Sequence, residues 1–164
     1  MDGSPNQDLN MPNVLFVCTA NRFRSPIAAA CFRKELTRRG LLNGWRVSSA
    51  GTWTTDGLPA TPNAITGAAR LGLDIADHRS TSITAQLITE ADLIIVMEQG
   101  QKEALENEFP DNAYKVHLLS EVTIGISYNI SDPALSSSAG KIDVEIDELI
   151  HKGFDRLCTQ VIKR

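Results

Sequence analysis

The sequence is poor in the residues that form disulfides and metal sites. Among 164 residues it has three cysteines (Cys18, Cys31 and Cys158) and three histidines. An odd number of widely spaced cysteines argues against a disulfide framework. No two cysteines stand at metal-ligand spacing, and the histidines form no cluster. We therefore expect a reducing environment, no bound metal and no cofactor.

Excess positive charge and long apolar runs are also missing. The net charge is −4 and the pI about 5.3, so nonspecific binding to nucleic acid is a poor hypothesis. Every apolar run falls well short of the roughly 18 residues that suggest a membrane span. The first 13 residues lack the charged start and apolar stretch of a signal peptide. We expect a cytoplasmic protein that binds neither membranes nor nucleic acid.

The chain does have an ordinary globular composition, with 42% hydrophobic and 22% charged residues. Its length suggests one domain. We predict a flexible N-terminal tail over residues 1–12 and a single domain over residues 13–164.

Strands and helices alternate along the predicted domain, a pattern typical of an α/β fold with a parallel sheet. "DLIIVM" is the strongest strand signal, and its apolar run indicates burial on both faces. The polar stretch at 120–141 is long for a loop, which suggests a function. The predicted strands are 14–17, 45–49, 92–97 and 114–119, and the predicted helices are 27–39, 62–71, 82–90, 99–107 and 144–162.

The stretch "FVCTANRFRS" joins the first strand to a helix that Ser25 and Pro26 are predicted to start. Ligands of such folds bind beyond the carboxyl ends of the strands. Backbone N–H groups of the turn and the helix dipole favour an anion there, and the same field favours the nucleophilic thiolate of Cys18. Arg24 supplies a guanidinium that can grip two phosphate oxygens. The loop therefore suits a phosphate attacked by sulfur.

Two polar side chains and one carboxylate extend this hypothesis. The hydroxyl of Ser25 can hydrogen-bond the thiolate, and Asn21 can hold the turn because it tolerates left-handed backbone angles. A thiophosphate intermediate needs an acid for the leaving group and later a base for water. "ISDPALS" offers Asp132, which Pro133 restricts to extended geometry. Each piece also has a plainer interpretation: a buried structural cysteine and a turn-forming aspartate.

The residues carry a resemblance to a known family. "VLFVCTANRFRSPIAAA" resembles the phosphate loop of the low-molecular-weight protein tyrosine phosphatases, and "VSSAGTW", "GLDIADHRSTSIT", "EADLIIVM" and "SDP" follow in the family's order. The resemblance implies a single three-layer domain with a four-stranded parallel sheet flanked by helices and the phosphate loop after the first strand. It implies a cysteine-dependent phosphatase acting on phosphotyrosine or a related phosphomonoester through a phosphocysteine. Cys18 is then the nucleophile, Arg24 the phosphate clamp and Asp132 the general acid and base.

The family resemblance also implies a set of phosphate- and substrate-binding residues, some of which depart from the family's pattern. Ala20 replaces a glycine, and Phe23 replaces a second cysteine that usually protects the nucleophile through a local disulfide. Thr19, directly after the nucleophile, resembles the protein-arginine phosphatases of the family. The expected binding residues are Thr19, Ala20, Asn21, Arg22, Phe23, Ser25 and Trp53.

Some of these roles stay open at the level of sequence. Arg22 either favours acidic substrates or, more simply, is a solvated surface charge. Trp53 is either a specificity wall or a packing residue. Aromatic residues often follow the Asp-Pro pair in eukaryotic members, whereas Ala134 and Leu135 follow it here.

Three alternatives to a tyrosine phosphatase remain: a protein-arginine phosphatase, an arsenate reductase on the same scaffold, and a non-catalytic phosphoprotein-binding module. The reductase chemistry needs two further thiols near the site, and no cysteine lies between Cys31 and Cys158. A binding module needs neither a nucleophile nor an acid. The expected partner is a phosphorylated protein or a small phosphomonoester, and we expect a monomer or weak dimer.

Overall fold

The fold, seen in a computed structural model that describes residues 11–133 and 139–162, is built on one four-stranded sheet. All three strand pairs are parallel, and the strand order is β2-β1-β3-β4. This confirms the predicted α/β class and the four-stranded parallel sheet. The strands are β1 Asn13–Cys18, β2 Arg46–Gly51, β3 Leu93–Val96 and β4 Val116–Leu118; the α-helices are α1 Arg24–Arg38, α2 Pro62–Arg70, α3 Ala85–Glu90, α4 Gln99–Glu108, α5 Leu119–Ile124, α6 Ala139–Lys152 and α7 Phe154–Ile162.

Strand β1 lies inside the sheet, paired with β2 on one side and β3 on the other. Its side chains alternate between two cores, as successive residues of a strand must. Phe16 and Cys18 point into the core formed with α1, α2, α6 and α7, whereas Leu15 and Val17 face the core formed with α3 and α4. Helices therefore cover both faces, and the uninterrupted apolar run of β1 follows from burial on each side.

Two corrections concern the C-terminal third of the chain. The predicted loop over 120–141 contains a helix, α5, which ends at Gly125 in the left-handed conformation (φ 76°). The predicted closing helix over 144–162 starts earlier, at Ala139, and breaks at Gly153 into α6 and α7. A Cβ atom on Gly153 would lie 2.4 Å from Cα of Thr123, so the glycine permits close packing of this break on α5.

The start of α1 also differs from the prediction. The helix begins at Arg24, with Phe23 as the capping residue and no side-chain cap. Ser25 lies inside the first turn, and its hydroxyl is directed to other partners, described below. Ser25 thus serves the loop before the helix rather than the helix end.

The remaining predicted elements are present, with ends that shift by a few residues. Residues 1–10, most of the predicted tail, and Ala134 and Leu135 lie outside the described residues, so the tail and domain boundary stay predictions. Within the described part of the chain, no helix is both long and apolar enough to span a bilayer.

Candidate active site

Cys18 ends β1, and its thiol lies at the base of a loop that curls over it. The residue is 2% exposed. Its Sγ lies 3.0 Å from Oγ of Ser25, and the backbone N–H of Asn21 donates to the same sulfur at 3.3 Å. Two hydrogen-bonding groups thus converge on the sulfur, an arrangement that stabilises a thiolate.

Asn21 holds the loop in shape. It is fully buried and has φ of 57°, in the left-handed region that asparagine tolerates better than most residues. Its Nδ2 donates to Oγ of Ser25 at 2.8 Å and to Oγ of Ser49 at 2.9 Å, and its Oδ1 accepts from the backbone N–H of Thr81 at 2.9 Å. Because Oγ of Ser25 accepts a hydrogen bond from Asn21, its own proton is available for the sulfur of Cys18.

His78 supports the same turn from behind. Its Nε2 lies 2.7 Å from the carbonyl oxygen of Asn21, which can only accept, so Nε2 carries the proton. Burial lowers the pKa of His78 despite this hydrogen bond, which favours the neutral ring. A neutral donor therefore holds the carbonyl of Asn21 in place.

The end of β2 supports the loop from below. Backbone N–H groups of Thr52 and Trp53 donate to the carbonyls of Cys18 and Thr19 at 3.0 and 2.9 Å. A Cβ atom on Gly51 would lie 2.6 Å from the carbonyl oxygen of Thr19. Glycine at position 51 is therefore what allows the loop to rest directly on this strand.

Arg24, at the start of α1, is 3% exposed and held at several points. One terminal nitrogen donates to Oε2 of Glu98 at 2.8 Å and to the carbonyl of Ile130 at 2.9 Å. The other lies 3.9 Å from Oδ2 of Asp132. The guanidinium is thus fixed before any ligand arrives.

Cys18, Arg24 and Asp132 border one cleft of about 370 Å³. Seven of the ten predicted site residues lie on the walls of this cleft. Asn21 and Ser25 do not line it; their side chains hydrogen-bond to each other, and Ser25 contacts the sulfur of Cys18. The lining of the cleft comprises Cys18, Thr19, Ala20, Arg22, Phe23, Arg24, Thr61, Asn63, Asp132 and Pro133.

Trp53 is the predicted site residue that the structure does not place on this cleft. Its backbone supports Thr19, but its side chain is 84% exposed and borders a neighbouring depression with Ala104 and Leu105. Trp53 is therefore neither a packing residue nor a wall of the Cys18 cleft in this structure.

Sequence reasoning missed Glu98 and Gln101. Gln101 accepts from the backbone N–H groups of Met97 and Glu98, and its Nε2 donates to Oγ1 of Thr19 at 3.0 Å. Both residues follow β3, which lies beside β1, so their side chains reach the edge of the sheet where Cys18 lies. The signal was available: polar residues directly after the strongest strand of a parallel sheet lie at the ligand-binding edge.

The other two cysteines lack the environment of a reactive thiol. Burial raises the pKa of Cys31, which is fully buried, well above its ordinary value. Burial also raises the pKa of Cys158 to about 12. Both thiols therefore stay protonated near neutral pH. Among the described residues, no group of three His, Cys, Asp or Glu side chains is placed to hold a metal ion.

Comparison with known proteins agrees with this geometry. The sequence model of the low molecular weight phosphotyrosine protein phosphatase family matches residues 13–164. The chain is 37% identical over 120 residues to the probable low molecular weight protein-tyrosine-phosphatase EpsP of Ralstonia nicotianae, covering 73% of this chain and 77% of that protein. It is 31% identical over 146 residues to the protein-arginine-phosphatase of Bacillus subtilis, covering 85% and 93%.

Solved structures give the same result. The low molecular weight protein tyrosine phosphatase from T. tengcongensis superposes with a TM-score of 0.82 at 32% identity, covering 89% of this chain and 99% of that one. The YwlE arginine phosphatase from Geobacillus stearothermophilus superposes with a TM-score of 0.81 at 28% identity, covering 93% and 97%. The chain belongs to the low molecular weight phosphotyrosine protein phosphatase family.

Proposed function

We propose that this chain hydrolyses phosphotyrosine on proteins through a phosphocysteine intermediate, with Cys18 as nucleophile, Arg24 as phosphate clamp and Asp132 as general acid and base. The observation that carries the proposal is the Cys18 thiol, hydrogen-bonded by Ser25 and Asn21, on one cleft with Arg24 and Asp132. One matched structure, a cysteine-to-serine mutant of the YwlE arginine phosphatase, has a phosphorylated active-site serine, which supports covalent chemistry at the corresponding loop.

In the first step the thiolate of Cys18 attacks phosphorus, forming the S–P bond as the P–O bond to the leaving group breaks. The Ser25 hydroxyl and the Asn21 N–H stabilise the sulfur anion beforehand. Backbone N–H groups in the loop over Thr19, Ala20, Arg22 and Phe23 are expected to bind the phosphoryl oxygens, as successive N–H groups in such turns do. The dipole at the N-terminus of α1 adds positive potential.

Arg24 pairs with two phosphate oxygens in this scheme. Its 2.8 Å contact with Glu98 and its hydrogen bond to the carbonyl of Ile130 restrict the side chain, so little conformational freedom is lost on binding. Glu98 is thus a positioning residue that acts through Arg24.

Asp132 donates a proton in the first step and accepts one in the second. It lies on the cleft with Cys18, next to Pro133. In the first step its protonated carboxyl donates to the leaving oxygen, and in the second its carboxylate takes a proton from the water that cleaves the S–P bond. Inorganic phosphate and free Cys18 are regenerated.

Phosphoarginine is the second candidate substrate. The protein-arginine-phosphatase of Bacillus subtilis matches 85% of this chain, a larger share than the EpsP match covers. In addition, Thr19 lines the cleft, with its hydroxyl held by Gln101. Comparing kcat/KM on matched phosphotyrosine and phosphoarginine peptides separates the two.

Arsenate reduction fits the site less well. A Brevibacillus brevis arsenate reductase is 34% identical over 88 residues, which covers 54% of this chain. A thiol relay needs further reactive cysteines, whereas Cys31 is buried in the core and burial raises the pKa of both Cys31 and Cys158. Arsenate-dependent oxidation of thiols would support this alternative.

The setting of the enzyme is part of the proposal. A free Cys18 nucleophile is preserved best in a reducing compartment, which supports a cytoplasmic location. The expected partner is a phosphorylated protein or small phosphomonoester rather than nucleic acid, because the pI is about 5.3. The monomer or weak dimer remains a prediction.

Hydrolysis of p-nitrophenyl phosphate in EDTA, by wild type and Cys18→Ser, tests the proposal. We expect turnover that survives the chelator and is lost in the variant, with vanadate inhibiting the wild type. A folded wild-type protein that binds vanadate without turnover would refute the enzyme and leave a phosphoprotein-binding module.

A further inference from the structure

Arg22 lies on the wall of the Cys18 cleft and is anchored twice. Its Nε donates to the carbonyl of Pro59 at 2.8 Å, and its own carbonyl accepts from the N–H of Thr61 at 3.0 Å. The segment from Pro59 to Thr61 thus holds both the backbone and the guanidinium of Arg22. A solvated surface arginine usually keeps its rotamer freedom, since ordering the side chain costs entropy. Arg22 is restrained instead.

The charges around the cleft are unequally matched. Arg24 is within 4 Å of two carboxylates, Glu98 at 2.8 Å and Asp132 at 3.9 Å. Arg22, by contrast, has no carboxylate within 4 Å among residues 11–133 and 139–162. Of the charged side chains on the cleft wall, Arg22 is therefore the cation whose charge is not balanced by a described neighbour.

The anchoring leaves the two terminal nitrogens of the Arg22 guanidinium available. The Nε atom is occupied by Pro59, whereas both terminal NH₂ groups remain for a ligand. Two terminal N–H donors match the two oxygens of a carboxylate, and the fixed side chain loses little freedom on binding.

We propose that Arg22 determines specificity by binding an aspartate or glutamate side chain that flanks the phosphorylated residue of a protein substrate. This deepens the proposed phosphatase function and rests on it. Phosphoproteins with acidic residues next to the phosphorylated position are preferred, and basic flanking residues are disfavoured by repulsion. Arg24 binds the phosphate in this scheme, and Arg22 binds the acidic side chain next to the phosphorylated residue.

The test compares kcat/KM of the full-length chain on phosphopeptides that differ only beside the phosphorylated residue. One series carries phosphotyrosine and a second phosphoarginine, each flanked by Glu, Gln or Lys. The enzymes are wild type, Arg22→Gln and Arg22→Glu. Arg38→Gln is the matched control, because Arg38 is exposed at the end of α1 and its loss changes the net charge equally.

For the wild type we expect Glu-flanked peptides to exceed Gln-flanked ones by about 1.5- to 5-fold in kcat/KM, the range of exposed charge pairs. The ratio should fall toward one in Arg22→Gln, invert in favour of Lys flanks in Arg22→Glu, and persist in Arg38→Gln. Higher ionic strength should reduce the wild-type ratio.

A wild-type ratio near one, or a ratio unchanged in Arg22→Gln, overturns the role of Arg22 while leaving the phosphatase standing. Failure of the proposed function is separate: it appears as no turnover of p-nitrophenyl phosphate by folded wild type. In that case the dissociation constants of the same peptides still test Arg22, since Glu-flanked peptides should bind about 1.5- to 5-fold more tightly than Gln-flanked ones.

Discussion

Replacing Asn21 tests how the phosphate loop is held. The side chain makes three buried hydrogen bonds, to Ser25, Ser49 and Thr81, and each is worth about 1 kcal/mol net. Asn21→Ala also puts alanine at φ 57°, where it lacks the polar side chain that lets asparagine adopt this conformation, at a cost of about 1 kcal/mol. We expect Asn21→Ala to lower the free energy of unfolding by about 4 kcal/mol.

Asn21→Gly separates the two contributions. It loses the same three hydrogen bonds but accepts the positive φ. Glycine's greater entropy loss on folding offsets part of this gain, so the variant should be destabilised by up to about 0.5 kcal/mol less than the alanine variant. Urea denaturation measures both variants, with kcat/KM on p-nitrophenyl phosphate as the second readout. Both should lose activity, because Ser25 is no longer oriented toward Cys18. Losses below about 1 kcal/mol in both variants would refute the claim that this side chain holds the loop.

Three further predictions concern other parts of the molecule. Asp132→Asn should lower kcat about 10²- to 10⁴-fold on phenyl phosphate and less on p-nitrophenyl phosphate, whose leaving group needs no proton; equal losses on both would contradict general acid catalysis. Peroxide should inactivate the wild type, and dithiothreitol should restore little activity, because Phe23 offers Cys18 no disulfide partner. The Phe23→Cys variant should regain its activity in dithiothreitol. Full recovery of the wild type, or no recovery of Phe23→Cys, would contradict this prediction. Gly153→Ala should lower the free energy of unfolding, measured in urea, by about 1–3 kcal/mol, because its Cβ would collide with Thr123. Gly100→Ala is the control and should not lower it, because the space around Gly100 is open. Equal stability of the two variants would disprove the packing argument.

Local sequence patterns predicted the sheet and the phosphate loop well for a physical reason. Strands β1 and β3 are short apolar runs. Cys18, Asn21, Arg24 and Ser25 lie within eight consecutive residues, so one turn places them together. Sequence proximity does not explain Asp132, which required the chemical argument that a thiophosphate needs an acid. The structure places Asp132 on the same cleft.

Other features depend on contacts between distant segments. Thr81 and His78 reach Asn21 across about 60 positions of sequence, and Glu98 reaches Arg24 across 74. The break at Gly153 is set by its packing on Thr123, because helical periodicity continues across it. The sequence placed Trp53 next to the loop, and its backbone N–H does support Thr19. The direction of its side chain, which is exposed, depends on the fold around it and could not be predicted from the sequence.

The support of the loop by β2 has a consequence for local stability. The amides of Thr52 and Trp53 continue the β1–β2 pairing beyond Gly51 and connect the carbonyls of Cys18 and Thr19 to the sheet. Opening the loop therefore requires breaking hydrogen bonds that extend the β1–β2 pair, so we expect its local opening free energy to lie near that of global unfolding. Many binding loops exchange their amide protons quickly because they open independently of the core. Here we expect the amides of the phosphate loop to exchange as slowly as those of β1, and thermal loss of activity to coincide with unfolding of the sheet.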